Sequence, residues 1–197
     1  GIMLIMPSDH LILDEKPLKK AIDSAMPIAQ AKKLVTFGIE PKTPETGFGY
    51  IKMGTPFLNG FEVEKFTEKP EESTAESYLE DGSYLWNTGI FLFRADVFLK
   101  AVEKHSPDIL NNVRKAFNTS DDNQNLSLDY DHYHACPSDS IDFAVLEKAE
   151  HVAVMPMNLN WNDIGSWKSI SRICNKDGSE NTSQGNVFLS NSRRTFV

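Results

Sequence analysis

Residues 2–10 read Ile2-Met3-Leu4-Ile5-Met6-Pro7-Ser8-Asp9-His10, a short apolar run that stops at a polar loop. A continuous apolar run of this length is typical of a strand that is covered on both faces. Apolar positions then recur at helical spacing from Asp14 to Ala29, with Pro27 near the predicted end of the helix, and residues 34–39 form a second apolar run. This order of strand, loop, helix and strand is a βαβ unit, which predicts a parallel sheet with helices on its faces.

The rest of the chain continues this alternation of strands and helices. Further strands are predicted at residues 48–53, 61–69, 84–93 and 152–155. Helices are predicted from Pro70 to Asp81-Gly82, on either side of Ser106-Pro107, through Ile141 to Leu146 with Ser138 or Asp139 as the cap, and after a cap at Ser166. Residues 185–197 are predicted to form two short strands or the start of another module.

Composition limits the partners and the compartment. The 197 residues, 40% of them hydrophobic, suffice for one packed domain, while the net charge of -8 argues against a nucleic-acid or membrane-surface partner. There is no apolar run of membrane-spanning length. Cys136 and Cys174 are too few for a disulfide scaffold, so a reducing cytoplasm is expected.

Two aspartates are candidate ligands for a divalent metal ion. Asp9 follows the first predicted strand, at the edge where open α/β sheets bind ligands. Asp163 lies in Trp161-Asn162-Asp163-Ile164-Gly165-Ser166-Trp167, just before a helix N-terminus. Because Mg²⁺ takes only one or two protein carboxylates, a pair that is distant in sequence suits it. The alternative for each residue is an aspartate that only forms a turn.

Glu68 and Lys69 form a candidate sugar-phosphate site at the end of a predicted strand. A glutamate accepts hydrogen bonds from paired sugar hydroxyls, and a lysine is a point charge for a phosphate. Since neighbouring side chains of a strand point to opposite faces, both residues serve one site only if the chain bends there. An ordinary ion pair on the surface is the alternative.

Backbone and amide groups extend this candidate site. Gly47 and Gly49 bring backbone N–H groups close to a sugar ring, or else form a plain turn. Asn87, in Asn87-Thr88-Gly89, interrupts an apolar strand and must find a hydrogen-bond partner. A ligand hydroxyl and a neighbouring backbone group are equally good partners.

A group of side chains between Asp129 and Cys136 offers nitrogen, oxygen and sulfur ligands. His132 and His134 would share one face if this segment were a strand. The spacing matches no closed zinc pattern, so a solvated loop is the preferred interpretation.

The order of the motifs is more informative than any one of them. They are Met6-Pro7-Ser8-Asp9-His10, Thr46-Gly47-Phe48-Gly49-Tyr50-Ile51, Phe66-Thr67-Glu68-Lys69-Pro70, Trp86-Asn87-Thr88-Gly89-Ile90-Phe91, Ser140-Ile141-Asp142-Phe143-Ala144-Val145-Leu146-Glu147-Lys148 and the segment around Asp163. From about residue 2 to the C-terminus, the sequence resembles bacterial mannose-1-phosphate guanylyltransferases, in the form often fused to a mannose-6-phosphate isomerase domain.

The resemblance implies a Rossmann-like nucleotide-diphospho-sugar transferase fold, α/β with a mixed, mostly parallel sheet whose first part is missing. Residues 1–180 would be the nucleotidyltransferase domain and residues 181–197 the start of a truncated β-rich module. The implied reaction makes GDP-mannose and pyrophosphate from GTP and mannose 1-phosphate, with Mg²⁺ as cofactor and no protein nucleophile.

The resemblance also implies residue roles. Asp9 and Asp163 would hold Mg²⁺, and Lys69 would bind the sugar phosphate; these three are the candidate catalytic residues. The implied mannose-binding residues are Glu68, Gly49 and Asn87, with Asp142 near the sugar and its phosphate.

One departure from the family limits the activity that is expected of this chain. Family members grip the triphosphate with an N-terminal Gly-rich loop, an Arg and a downstream Lys, and nothing in this sequence matches them. The chain is therefore expected to be inactive by itself, with GTP preference resting on the resemblance. A non-catalytic sugar-phosphate-binding module, a transferase for another nucleotide or sugar 1-phosphate, and a homo-oligomer all remain open.

Overall fold

The computed structural model describes residues 1–118 and 127–197. They form two compact units, one of Gly1–Pro7 with Asp14–Leu159 and one of Ser8–Leu13 with Asn160–Val197. The strands are β1 Ile2–Ile5, β2 Leu11–Ile12, β3 Leu34–Ile39, β4 Tyr50–Phe57, β5 Gly60–Thr67, β6 Tyr84–Arg94, β7 Val152–Met157 and β8 Trp161–Asn162. The helices are α1 Glu15–Gln30, α2 Glu72–Asp81, α3 Ala95–His105, α4 Pro107–Asn118, α5 Tyr130–His134 and α6 Trp167–Ile173. The domain boundary at residue 180 stays a prediction.

The first unit contains a six-stranded mixed sheet in the order β1-β6-β3-β7-β5-β4, and β4 also pairs with β6. The prediction of a mixed α/β sheet is confirmed, but the prediction that it is mostly parallel is wrong. Only β3 and β7 form a parallel pair among the strands described, and the other pairings are antiparallel. The reason is β6, which lies between β1 and β3 and runs antiparallel to both. The two strands of the expected βαβ unit therefore run in the same direction without being neighbours.

Strand β1 differs from its prediction. Within the described residues it pairs with β6 alone, and Leu4 and Ile5 are 39% and 43% exposed. The apolar run that predicted a strand covered on both faces therefore belongs to a half-exposed edge strand. Periodicity alone does not separate these two cases, since both give a continuous apolar run.

Most of the helix boundaries follow from local chemistry. Gly82 ends α2 in the left-handed conformation, with a φ of 72°, and Ser106 separates α3 from α4 as predicted. The Ser166 side chain accepts a hydrogen bond from the Ser169 N–H and caps α6. Pro27 lies in the last turn of α1, where the Ala31 N–H still bonds its carbonyl at 3.0 Å.

Two local predictions are corrected. The helix expected after Ser138 or Asp139 is a π-helical turn, Asp142–Leu146, in which the Glu147 N–H bonds the Asp142 carbonyl at 3.0 Å. In place of the two strands expected at residues 185–197, the second unit has one isolated bridge between Thr182 and Phe196. None of the helices in the described part of the chain has the length and apolar character needed to cross a bilayer.

The core of the first unit lies between the sheet and its helices. Aliphatic and aromatic side chains from β3, β6 and β7 fill it, together with residues of α3, α4 and the π-helical turn. Phe93 of β6 is 2% exposed and stacks on Phe98 of α3, with ring centroids 4.5 Å apart. Strand β6 thus pairs with three other strands, β1, β3 and β4, and is a main contributor to the core.

We expect Phe93→Ala to lower the free energy of unfolding by about 3–5 kcal/mol, because it leaves a cavity in a packed core. Phe188, which is 91% exposed, provides the control, and Phe188→Ala should change stability by less than about 0.5 kcal/mol. Urea titration followed by circular dichroism measures both. Equal effects of the two substitutions would contradict this description of the core.

Candidate functional site

Asn87 is a buried polar residue in the middle of β6. Its side-chain oxygen accepts hydrogen bonds from the Thr36 hydroxyl of β3 at 2.8 Å and from the Gly89 N–H at 3.3 Å. Its amide nitrogen donates to the Asp142 carboxylate at 2.9 Å. The sequence left a ligand or a backbone group open as its partner, and the structure supplies a hydroxyl, a backbone N–H and a carboxylate. The bond to Asp142 uses one of the two amide hydrogens.

Asp142 is the first residue of the π-helical turn, and its carboxylate faces Asn87. Burial raises the pKa of the Asp142 carboxyl above its ordinary value, and the hydrogen bond from Asn87 offsets only part of that rise. The chain thus holds this carboxylate in a position where the charged form is costly. Groups that are perturbed in this way often mark functional sites.

Glu68 follows β5 and lies near Asp142. Its side chain is only 11% exposed, and burial is the main cause that raises the pKa of its carboxyl, with the charges of Asp142 and Glu147 adding to the rise. Lys69 has a φ of 45°, which is rare for a residue with a side chain, and its Nζ lies 3.7 Å from Glu68 Oε1. The chain therefore bends at Lys69, so the side chains of Glu68 and Lys69 lie in the same region. This bend is the condition for both residues to bind one ligand.

Gly49 completes this group from the start of β4. Its carbonyl accepts a hydrogen bond from the Asn87 N–H at 2.8 Å. A Cβ atom at Gly49 would overlap the Glu68 carboxylate and would lie 3.3 Å from Asn87 Cβ. Only glycine lets the Glu68 carboxylate sit against the backbone here. We call Gly49, Glu68, Lys69, Asn87 and Asp142 the carboxylate cluster.

Two residues around the carboxylate cluster have no role in the sequence analysis. Thr36 orients the amide of Asn87. The Glu147 Oε1 atom accepts a hydrogen bond from the Glu68 N–H at 3.1 Å. Glu147 lies in the motif of residues 140–148, but its contact with the Glu68 N–H depends on the π-helical turn, which no local sequence pattern predicts.

In the second unit, β2 and β8 form a two-stranded ladder that pairs Leu11 with Asn162 and Ile12 with Trp161. Asp9 precedes Leu11 in a bend, and Asp163 follows Asn162, so both aspartates lie at the same end of this ladder. The Trp161 indole N–H donates to His10 Nδ1 at 3.2 Å, which links the two strands beside Asp163. Two residues that are far apart in sequence are thereby brought to one end of one small element.

Asp163 does not form the turn that was the alternative to metal binding. Its neighbour Asn162 does, since the Asn162 side-chain oxygen accepts from the Ile164 N–H at 2.7 Å. Asp163 Oδ1 is buried, and no hydrogen-bond partner for it occurs among the described residues. A buried carboxylate oxygen without a donor is costly unless a cation completes it. Asp163 therefore fits a metal ligand, and Asp9 is exposed at the same end of the ladder.

The prediction of a solvated loop between Asp129 and Cys136 is wrong, since this segment contains the exposed helix α5, and it is not a strand either. Asp129 caps α5 by accepting from the His132 N–H at 2.9 Å, and it also contacts His132 Nδ1 at 2.7 Å. His132 and His134 therefore do not share the face that a strand would give them. Over residues 1–118 and 127–197, no three His, Cys, Asp or Glu side chains are arranged to hold a metal ion.

A groove of about 270 Å³ lies at the start of β3, the end that pairs with the last part of β6, away from the carboxylate cluster. Lys32, Lys100 and Lys104 line it together with acidic residues. Lys104 is already paired with Glu150 at 3.2 Å. The groove offers mixed surface charge, whereas the carboxylate cluster holds buried polar groups on several elements, so we place the candidate site at the cluster.

Comparison with known proteins gives consistent matches. Residues 1–180 match the family described as Nucleotidyl transferase. The whole chain is 41% identical to the Mannose-1-phosphate guanylyltransferase of Escherichia coli (strain K12) and 42% identical to the Xanthan biosynthesis protein XanB of Xanthomonas campestris pv. campestris (strain B100). It spans 42% of the length of each of these relatives.

The fold also matches a crystal structure described as mannose-1-phosphate geranyltransferase from Thermus thermophilus. The TM-score is 0.81 at 30% sequence identity, over 93% of this chain and 52% of that chain. The predicted nucleotidyltransferase type of fold is therefore confirmed over 93% of the chain, apart from the strand directions corrected above.

We expect Gly49→Ala to impair ligand binding more than stability, because the new methyl group displaces the carboxylate at the end of the flexible Glu68 side chain. Gly47→Ala is the matched control, since a Cβ atom at Gly47 meets no atom within 4 Å. Calorimetric titration with mannose 1-phosphate should show at least about tenfold weaker binding for Gly49→Ala and unchanged binding for Gly47→Ala. Equal affinities of the two variants would contradict the proposed crowding at Gly49.

Proposed function

Because this chain belongs to the nucleotidyl transferase family, we propose that it is part of a mannose-1-phosphate guanylyltransferase. The family acts on nucleotide and sugar-phosphate substrates and is generally dependent on a divalent metal ion. The proposed reaction makes GDP-mannose and pyrophosphate from GTP and mannose 1-phosphate. The observation that carries the proposal is the carboxylate cluster, with two half-buried carboxylates and a lysine at one edge of the sheet.

The two carboxylates are suited to a sugar. Ionised Glu68 and Asp142 each offer two acceptor oxygens, and neighbouring hydroxyls of a pyranose are donors that match them. The remaining amide hydrogen of Asn87 is a donor for a sugar oxygen. Since burial raises the pKa of both carboxyls, sugar hydroxyls that replace the lost water would favour the charged forms.

Lys69 is suited to the phosphate of the same ligand. Its side chain is 63% exposed and carries three donors on one charge, so an incoming phosphate can reach it. The left-handed backbone at Lys69 directs the chain so that the ammonium group stays beside Glu68. A sugar on the carboxylates and a phosphate on the lysine would thus be held as one rigid acceptor.

Asp163 and Asp9 are the residues that would hold the divalent ion. The buried and unpartnered Asp163 Oδ1 atom supports this assignment. Mg²⁺ bound there would neutralise phosphate charge and polarise phosphoryl oxygens. The preference for GTP is part of the proposal and draws on the names of the relatives. Mg²⁺ is proposed because it takes only one or two protein carboxylates and keeps positions for phosphate oxygens.

The chemical step requires positioning rather than a protein nucleophile. An oxygen of the mannose 1-phosphate attacks the α-phosphorus of GTP, a new P–O bond forms, and the bond to the leaving pyrophosphate breaks. Glu68, Asn87 and Asp142 of the carboxylate cluster would orient the sugar, and Lys69 would bind the attacking phosphate. Orientation of this kind lowers the barrier because translational freedom is lost on binding, before the reaction.

The direct test uses the full-length gene product with GTP and mannose 1-phosphate, and it measures the release of pyrophosphate. We expect release with this pair and much slower release when ATP replaces GTP or glucose 1-phosphate replaces mannose 1-phosphate. Faster turnover of another pair would indicate a transferase for another nucleotide or sugar. Binding of mannose 1-phosphate without any release would indicate a non-catalytic module.

Lys69→Met keeps the length of the side chain and removes its charge. We expect the KM for mannose 1-phosphate in the full-length protein to rise by about tenfold or more, because a charge-assisted contact to phosphate is lost. Lys19→Met, at an exposed position of α1, removes the same charge and should leave KM unchanged. The assignment of Lys69 fails if its variant has the KM of the wild type.

Asp163→Asn tests the metal site without changing the size of the side chain. We expect pyrophosphate release to fall on the order of 100-fold, and the rise in melting temperature on addition of Mg²⁺ to disappear. Asp23→Asn, on the exposed side of α1, removes the same charge and should preserve both. Unchanged stabilisation by Mg²⁺ in Asp163→Asn would show that the ion binds elsewhere.

A further inference from the structure

The end of β5 is held by a side chain from a distant part of the chain. Tyr50 and Thr67 form the pair of β4 and β5 nearest this end, so the Glu68 N–H lies beyond the paired residues. This N–H donates to Glu147 Oε1 at 3.1 Å. A side-chain carboxylate therefore replaces a strand partner at the residue where the carboxylate cluster begins.

The next residue explains why such a contact is needed. Lys69 has a φ of 45°, a conformation that side chains with a Cβ atom rarely adopt and that is held only where its surroundings enforce it. A peptide in this conformation tends to relax when its neighbours are free. The Glu147 contact fixes the N–H of the Thr67–Glu68 peptide, one peptide before the one that enters the strained Lys69.

The π-helical turn places Glu147 where it can make this contact. In a π-helical turn the hydrogen bonds join residues i and i+5, so Asp142 and Glu147 lie about one turn apart on the same side. In a regular α-helix the same two residues would point in different directions. Asp142 is anchored to Asn87 of β6, so the turn connects β6 through Glu147 to the end of β5.

The charge of Glu147 also affects the two carboxylates beside it. The negative charge of Glu147 raises the pKa of both Glu68 and Asp142, after the larger effect of burial on each. Three carboxylates thus lie together, with Lys69 the nearby cation that lowers the pKa of Glu68 and Asp142. Glu147 is exposed, and its carboxylate accepts a hydrogen bond from the Glu68 N–H although its charge adds to the negative charge around Glu68 and Asp142.

We propose that Glu147 is a positioning residue, which holds the Thr67–Glu68 peptide and thereby keeps Glu68 and Lys69 in the conformation that binds the sugar phosphate. Glu147 acts through the backbone of Glu68 and needs no contact with the substrate. This inference rests on the proposed function for its ligand, mannose 1-phosphate. The hydrogen bond itself concerns only this chain and can be tested without any ligand.

The experiment compares Glu147→Ala with Glu147→Gln in the full-length protein. Glutamine keeps an acceptor oxygen for the Glu68 N–H and loses the charge, whereas alanine loses both. We expect faster hydrogen exchange at the Glu68 amide and about tenfold weaker binding of mannose 1-phosphate for Glu147→Ala. Glu147→Gln should keep both close to the wild-type values. Glu150→Ala, at an exposed residue paired with Lys104, should change neither.

The pH dependence separates the bond from the charge. Around Glu68 the charged groups are Asp142, Lys69 and Glu147. Removal of the Glu147 charge lowers the pKa of Glu68, so the acid limb of mannose 1-phosphate binding should move to lower pH in Glu147→Gln and in Glu147→Ala. A shift of the limb in both variants, with weaker binding at neutral pH in Glu147→Ala alone, would show that the bond and not the charge positions the segment.

The outcomes distinguish this inference from the proposed function. Wild-type exchange at Glu68 and wild-type affinity in Glu147→Ala would overturn the inference while leaving the function intact. If Glu147→Gln loses as much affinity as Glu147→Ala, the hydrogen bond is not what positions the segment, and the inference is also wrong. If the wild-type protein does not bind mannose 1-phosphate, the proposed function fails, and the exchange at Glu68 alone decides whether Glu147 holds the peptide.

Discussion

The side-chain amide of Asn87 is the interaction on which the candidate site depends. Asn87 lies in β6, a strand that pairs with three others, where its oxygen accepts from Thr36 and Gly89 and its nitrogen donates to Asp142. A buried amide with these bonds has one orientation only, since a flipped amide would place two donors against Thr36 and Gly89 and an oxygen against a carboxylate. Through this one side chain the rigid sheet sets the position of the π-helical turn and of the acceptors beside it.

The cost of this arrangement is electrostatic. The folded protein binds the protons of Glu68 and Asp142 more tightly than the unfolded chain, because burial raises both pKa values. Their contribution to stability is therefore complete below the ordinary carboxyl pKa and is lost as the pH rises through the raised values. A protein tolerates this loss of stability where the charged carboxylates bind a ligand. A ligand that has several hydroxyl groups and one phosphate supplies donors to the carboxylates and an anion to Lys69.

The sequence predicts much of this fold because its strands and caps have local signals. Strand β3, the break at Ser106 and the cap at Ser166 follow from apolar runs and turn residues. Strand order does not, because the insertion of β6 between β1 and β3 depends on contacts far apart in sequence. In the site, the sequence made a bend the condition for Glu68 and Lys69 to reach one ligand, with a surface ion pair as the alternative, but no residue pattern predicts the φ of 45° at Lys69. The role of Glu147 depends on a π-helical turn, which differs from an α-helix by one hydrogen-bond register and leaves no mark in apolar spacing.

The central claim is that the carboxylate cluster is the binding site of a sugar phosphate. A crystal structure of the full-length protein soaked with mannose 1-phosphate tests it most directly. The account predicts sugar hydroxyls at hydrogen-bond distance, roughly 2.7–3.2 Å, from the carboxylates of Glu68 and Asp142, with the phosphate at Lys69 Nζ. A sugar phosphate bound elsewhere, with the carboxylate cluster unoccupied and its internal bonds unchanged, would contradict it.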